Sequence, residues 1–240
     1  MAERVLAQIL ELWVRPALAA RGDDVERAVG KALVILPPNG APVVQLDDEA
    51  SWIAEVRATR AIAKGEPITD EDFSEVVALR PTGIDPDAGW IGFASLGRHG
   101  VVVAFDFRRN RRRAAALLER AKEFADVAKL GHAAGLRGPV LENAFAAAEL
   151  CVVAELSLMP DRPTRSHRER VERWRSWSAL GNVPSTHAEA LAMLVHARAG
   201  ARYGEHPLDE DESGAAELLA TVDEMVSHAA RMVGLDIDPP

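Results

Sequence analysis

Apolar positions change their period along the chain, and the change marks two halves. Val5, Leu6, Ile9, Leu10 and Trp13 recur at helical spacing, which predicts an amphipathic helix over residues 2–15. Pro16 is expected to end or kink it, because proline lacks the amide hydrogen that a helix interior uses. Short runs follow instead of long stripes. Leu33–Leu36 and Val43–Leu46 flank Pro37-Pro38-Asn39-Gly40, the composition of a turn, so they predict a hairpin. Trp52–Thr59 alternates, with Trp52, Ala54, Val56 and Ala58 on one face. Phe73–Leu79, Trp90–Leu96 and Val101–Phe107 are further strand candidates, the last two separated by Gly97-Arg98-His99-Gly100. One helix with five or six short strands predicts a small α+β domain over residues 1–107.

Beyond residue 107 the period is helical throughout. Arg108–Leu130 holds neither Pro nor Gly, and Leu117, Ala121, Phe124 and Ala128 predict its buried stripe. Val140–Leu158 is apolar on two adjoining faces. Leu141, Phe145, Ala148, Val152 and Leu156 form one, and Ala144, Ala147, Cys151, Ala154 and Leu158 the other. A helix apolar on most sides belongs at the centre of a bundle. Arg165–Ser178 predicts a short charged helix with Trp174 and Trp177 turned inward. Ser185 or Thr186 can cap a helix carrying Leu191, Leu194 and Val195. Leu218, Leu219, Val222, Met225, Val226, Ala229 and Met232 mark the last one. The expected fold class is α+β: a small mixed domain followed by an all-α bundle of five helices over residues 108–235. No Gly/Ser linker separates them.

Charge sharpens this division. The formal net charge of −9 is uneven: residues 1–107 carry −7, residues 108–204 carry +7, and residues 205–240 carry −9. Global acidity argues against an extended groove for non-specific DNA binding, while the basic middle keeps RNA contact open. The alternative is that the basic middle and the acidic tail neutralise each other within one fold. The single cysteine, Cys151, excludes an intrachain disulfide and a Cys-rich metal site, and it is expected to be an inert core thiol. No apolar run reaches transmembrane length, and Glu3 and Glu11 interrupt the first apolar stretch, so a cytoplasmic protein without a signal peptide is expected. No Gly-rich phosphate loop and no nucleophile elbow occurs, and no cofactor or metal is expected. The histidines His99, His132, His187, His196 and His228 are scattered and read as surface or satisfied groups.

Four stretches of the second half carry a resemblance. They are Arg112–Ala128 (RRAAALLERAKEFADVA), Leu141–Leu150 (LENAFAAAEL), Thr164-Arg165-Ser166-His167-Arg168, and Ala197–Gly204 (ARAGARYG) with the acidic loop after it. Together, over about residues 108–235, they resemble the HEPN domain, a family of helical nucleotide-binding bundles. The resemblance implies a homodimer that contacts RNA or a cognate protein in a stress, defence or toxin–antitoxin setting. Some members are metal-independent endoribonucleases, whose motif separates an Arg from a following His by four to six residues. There the Arg stabilises the phosphate and the His moves the proton of the 2′-hydroxyl. This chain departs from that motif. Seven residues separate Arg198 from His206, three separate Arg202 from His206, and Tyr203 stands where an active member could carry its His. Arg198 and His206 are therefore the catalytic candidates, and Arg165, His167, Arg168, Arg202 and Tyr203 the candidates for RNA or ligand contact. The leading expectation is a non-catalytic interaction module; the rivals are a divergent endoribonuclease and a small-molecule sensor with a helical dimerisation domain. In the first half, Arg60–Phe73 weakly resembles the start of SAF-type β-clip domains, which bind sugars and related small molecules, but a plain strand–turn–strand element is the leading expectation there.

Overall fold

A computed structural model describes residues 2–69, 71–159, 164, 166–203 and 212–234, with side chains described outside 199–203 and 212–213. The chain divides into two compact units, 1–109 and 110–240. Strands occupy the first and helices dominate the second, an α+β chain.

The first unit opens with α1 (Ala2–Ile9), which passes through a π-helical turn (Leu10–Val14) into α2 (Arg15–Arg21). Pro16 therefore does not end the helix, as its sequence suggests. It sits in the first turn of α2, directly after the π-helical turn. A widened turn is one way to carry a proline, whose ring clashes with the carbonyl four residues back in a regular helix. Gly22, left-handed at φ 77°, stops the helix. Its inner side, with Ile9, Val14 and Leu18, packs against Ala32, Leu46 and Phe93.

Those partners belong to an antiparallel sheet of four strands in the order β2-β1-β5-β6. Here β1 is Lys31–Leu36, β2 Val43–Leu46, β5 Gly89–Ser95 and β6 Val101–Asp106. The expected hairpin is β1–β2, with Ala32 opposite Leu46 and Ile35 opposite Val43. Between β2 and β5 lie β3 (Trp52–Ala58) and β4 (Phe73–Pro81), which pair into a separate ribbon with two bulges. Phe93 faces the helix, so its neighbour Gly92 faces the other way. There the Trp52 ring comes over Gly92, and Trp52 also meets Trp90 edge-on at 5.7 Å. The central strand is thus covered on both faces, which is why Ala32-Leu33-Val34 is a continuous apolar run without alternation. Residues 59–72 connect β3 to β4. Arg60 fastens this connection by donating to Asp72 and to Glu66, each at 2.7 Å.

Among the described residues, the second unit is a bundle of five helices: α3 (Arg111–Ala133), α4 (Arg137–Leu158), α5 (His167–Ala179), α6 (Ser185–Tyr203) and α7 (Glu212–Val233). Helix α3 starts three residues later than its sequence suggests. Arg108 turns back on Asp106 at 2.8 Å, and left-handed Asn110 starts the helix, its side-chain amide donating to the Ser157 carbonyl at 3.0 Å. The buried stripe of α3 is Ala114, Leu118, Ala121, Ala125 and Ala128; of the expected positions Ala121 and Ala128 belong to it, Leu117 is partly buried beside it, and Phe124 is exposed. Its alternating spacing of four and three turns four alanines and Leu118 onto the bundle. The turn between them is a glycine cap. Gly135 is left-handed, the Leu136 amide donates to the Gly131 carbonyl, and the Gly135 amide donates to the His132 carbonyl. Gly138 and Pro139 fall inside the first turn of α4, where proline's missing amide hydrogen costs little.

Helix α4 is the centre. All ten apolar positions named for its two faces are buried, and the core gathers around them. Trp174 of α5 packs inward, Trp177 partly so. Among the described residues, no helix is long and apolar enough to cross a membrane.

Candidate functional site

At the edge of its apolar faces, α4 carries Glu142, the core residue Phe145 and Glu149 at intervals of three and four, so they line one side of the helix. Each meets side chains from other helices. Arg198 of α6 donates from Nε to Glu142 Oε2 at 3.0 Å. Its guanidinium carbon also stands 4.5 Å from the centre of the Phe145 ring. His167 of α5 meets the same ring edge-on, with centres 5.6 Å apart. His167 Nδ1 and Arg170 Nη1 both engage Glu149 Oε1, and they lie 3.1 Å from each other.

Local sequence explains the placement. Ser166 caps α5 by accepting from the Glu169 amide at 3.2 Å, which sets His167 in the first turn. The carboxylate of Glu149 then lies close to a helix N-terminus, where negative charge is favoured. Arg198 lies far along α6, so its long stem reaches across to α4 and packs over Phe145. Glu142 holds Arg198 over the Phe145 ring, Glu149 holds Arg170 and His167, and His167 stays half exposed.

The chain matches no family model and no curated protein.

Of the sequence candidates, Arg198 and His167 are brought together around Phe145. Arg168 is not part of this cluster: it points into solvent and pairs with Glu172 one turn on, at 2.9 Å. The backbones of Arg202 and Tyr203 form the last turn of α6, and their side chains lie outside the described residues, as do Arg165 and His206 altogether. No group of three or more His, Cys, Asp or Glu among the described residues is placed to hold a metal ion.

The chemistry of the cluster is that of a binding face. Both arginines are already compensated, so a phosphate gains a contact only by exchanging with Glu142 or Glu149. The Arg198 guanidinium offers a fork for phosphate oxygens, and the buried Phe145 ring beneath it fixes its position. Glu142, Phe145 and Glu149 are not among the site residues that the sequence points to. The 142–145–149 spacing was a usable signal, but it lies on a helix whose remaining positions are core, and Phe145 serves both.

Proposed function

We propose that the second unit is a HEPN-like dimeric module that contacts RNA without cleaving it at Arg198, in a cytoplasmic stress or defence setting. One observation carries the reading. Residues far apart in sequence, Phe145, His167 and Arg198, gather on one side of α4 with their charges balanced by Glu142 and Glu149. An arginine fixed by a carboxylate and a ring is positioned to bind, and its neutralisation favours selective contact over a general hold on polyanions. Dimerisation is the contribution of the family resemblance.

The test incubates the full chain with structured RNA in EDTA at two salt concentrations, following binding by fluorescence anisotropy and integrity by gel. Binding that weakens with salt, with the RNA intact, is the expected outcome. Arg198→Lys keeps the charge and loses the fork, and it is expected to weaken binding several-fold. No binding overturns the reading. Cleavage lost on Arg198→Ala replaces it with the endoribonuclease. The solution mass tests the dimer.

The first unit supports a second reading, the small-molecule sensor. A cavity of about 300 Å³ lies between its helix and sheet, floored by Val14, Leu18 and Phe93. Its wall includes Leu10 of the π-helical turn, a feature frequent at functional sites. Thermal stabilisation by a small apolar metabolite, with no response to RNA, would favour it.

A further inference from the structure

A second polar centre lies deeper in the same bundle, and it joins two histidines that look unrelated in the sequence. Glu155, in the last turn of α4, is 2% exposed. Its Oε1 pairs with Nδ1 of His228 on α7 at 3.0 Å, while its Oε2 is buried without a partner. His187, in the first turn of α6, is also 2% exposed, and its Nδ1 has no partner. The two imidazoles meet edge-on, their centres 5.6 Å apart. Both line a cleft of about 320 Å³, along with Ser227 and Arg231 of α7.

Buried polar atoms without partners are rare in folded proteins, because each carries an unrecovered desolvation cost. Here two occur on adjacent side chains next to an opening. The cleft also sits at the N-terminus of a helix of 19 residues, whose first amides favour an anion. Arg231 adds a fixed positive charge. Glu155 holds His228 through Nδ1, so Nε2 is the nitrogen that remains for a ligand.

We propose that this cleft binds a terminal phosphate group, held by His187, His228 and Arg231 at the start of α6. Two acidic side chains on the rim decide between a terminal group and a polyanionic strand. Asp223 is compensated by Lys129 at 3.1 Å, but Glu224 also lines the cleft. A phosphate backbone laid along the cleft meets that carboxylate, whereas one phosphate entering end-on reaches the histidines and Arg231. Titration behaviour agrees. Burial, with His228 next to it, holds His187 below the usual imidazole range, while Glu224 opposes the shift and Arg231 reinforces it. Burial pushes the Glu155 carboxyl up, and His228 and Arg231 pull it back. An entering anion relieves the first shift: it favours a proton on His187 and offers its Nδ1 a partner.

The same chemistry could come from a free phosphate or nucleotide, or from the 5′ end of an RNA. Isothermal titration of the full chain compares inorganic phosphate, a nucleoside 5′-monophosphate, and a short RNA with a 5′-phosphate or a 5′-hydroxyl. Saturable binding that needs the phosphate is expected, weakened tenfold or more by Arg231→Gln and by His187→Gln. Arg231 is exposed, so its variant is expected to fold as the parent does. Tight binding of the monophosphate assigns a nucleotide; tight binding of the 5′-phosphorylated RNA alone assigns an RNA end. Phosphate binding that both variants retain overturns the proposal, and so does its absence. Arg198→Lys is expected to leave phosphate affinity unchanged, which separates failure of this site from failure of the RNA face on α4.

Discussion

Gly92 is the position where one methyl group tests the packing of the first unit most severely. A Cβ there would stand 2.2 Å from the Ala32 carbonyl oxygen and 2.6 Å from Cζ2 of Trp52. The ring could rotate, but the carbonyl belongs to β1, the strand paired to β5. Relief requires parting β1 from β5, and each ladder hydrogen bond weakened costs about 1 kcal/mol. Overpacking adds about 1–3 kcal/mol. Gly92→Ala is therefore expected to destabilise the first unit by roughly 3 kcal/mol or more, a large share of the ~5–15 kcal/mol that holds a domain folded. Two other glycines of this unit calibrate the scale. At Gly89 a Cβ would lie 3.2 Å from backbone atoms of Asp106 and Phe107, a tight fit for which about 1 kcal/mol is expected. At Gly30 the nearest atom is Asp47 Oδ1 at 3.7 Å and φ is not positive, so alanine is expected to be neutral or to stabilise by about 0.5 kcal/mol through the unfolded chain. Urea unfolding gives each midpoint and slope, and amide exchange on β1 and β5 locates the change. Trp52→Ala added to Gly92→Ala should not rescue it, since the carbonyl contact remains. Gly92→Ala unfolding within ~0.5 kcal/mol of the parent would refute the close approach of the two strands.

Three further outcomes follow from individual groups. Asp72 accepts from the Thr69 amide and hydroxyl, each at 2.8 Å, and from Arg60, which together hold its carboxyl down to about 2. The unfolded chain binds that proton at its ordinary, higher value, so the stability Asp72 contributes is present above about 4 and is lost as pH falls towards about 2; Asp72→Asn should flatten the acid limb of a stability–pH curve in that window. His187 is held below its ordinary pKa, so the unfolded chain carries the extra proton and stability declines as pH drops below about 6.5; His187→Gln should remove that slope, and an unchanged slope would place the effect elsewhere. Burial, with Glu155 nearby, pushes the Cys151 thiol up to about 12, so the folded chain should resist iodoacetamide at pH 8 while the urea-unfolded chain reacts fully.

What could be read from the sequence, and what could not, divides along physical lines. Most strands and helices are legible by period, because burial of one face imposes it; β1 and α4, covered on more than one side, lack it. The central position of α4 followed from an apolar surface on most sides, which only enclosure satisfies. On α3 the expected Ala121 and Ala128 are buried, but the stripe runs on through Leu118 and Ala125, which leaves Leu117 partly buried and Phe124 exposed: side-chain size alone does not mark the inner face. Pro16 was misplaced for a different reason. Local rules assign proline a cost without knowing that a π-helical turn precedes it. The polar centres obey neither rule. Arg198 and Glu142 are 56 residues apart, and His228 and Glu155 are 73 apart. Nothing local marks such pairs, and Glu155 in particular is one acidic letter in an apolar run. Its burial is intelligible only through its partners, because an isolated carboxylate at that depth would be neutralised or expelled. A single charged residue inside a central helix is accordingly the sequence signal that predicts a partner from another element. Here that partner, His228, leads to the cleft at the start of α6.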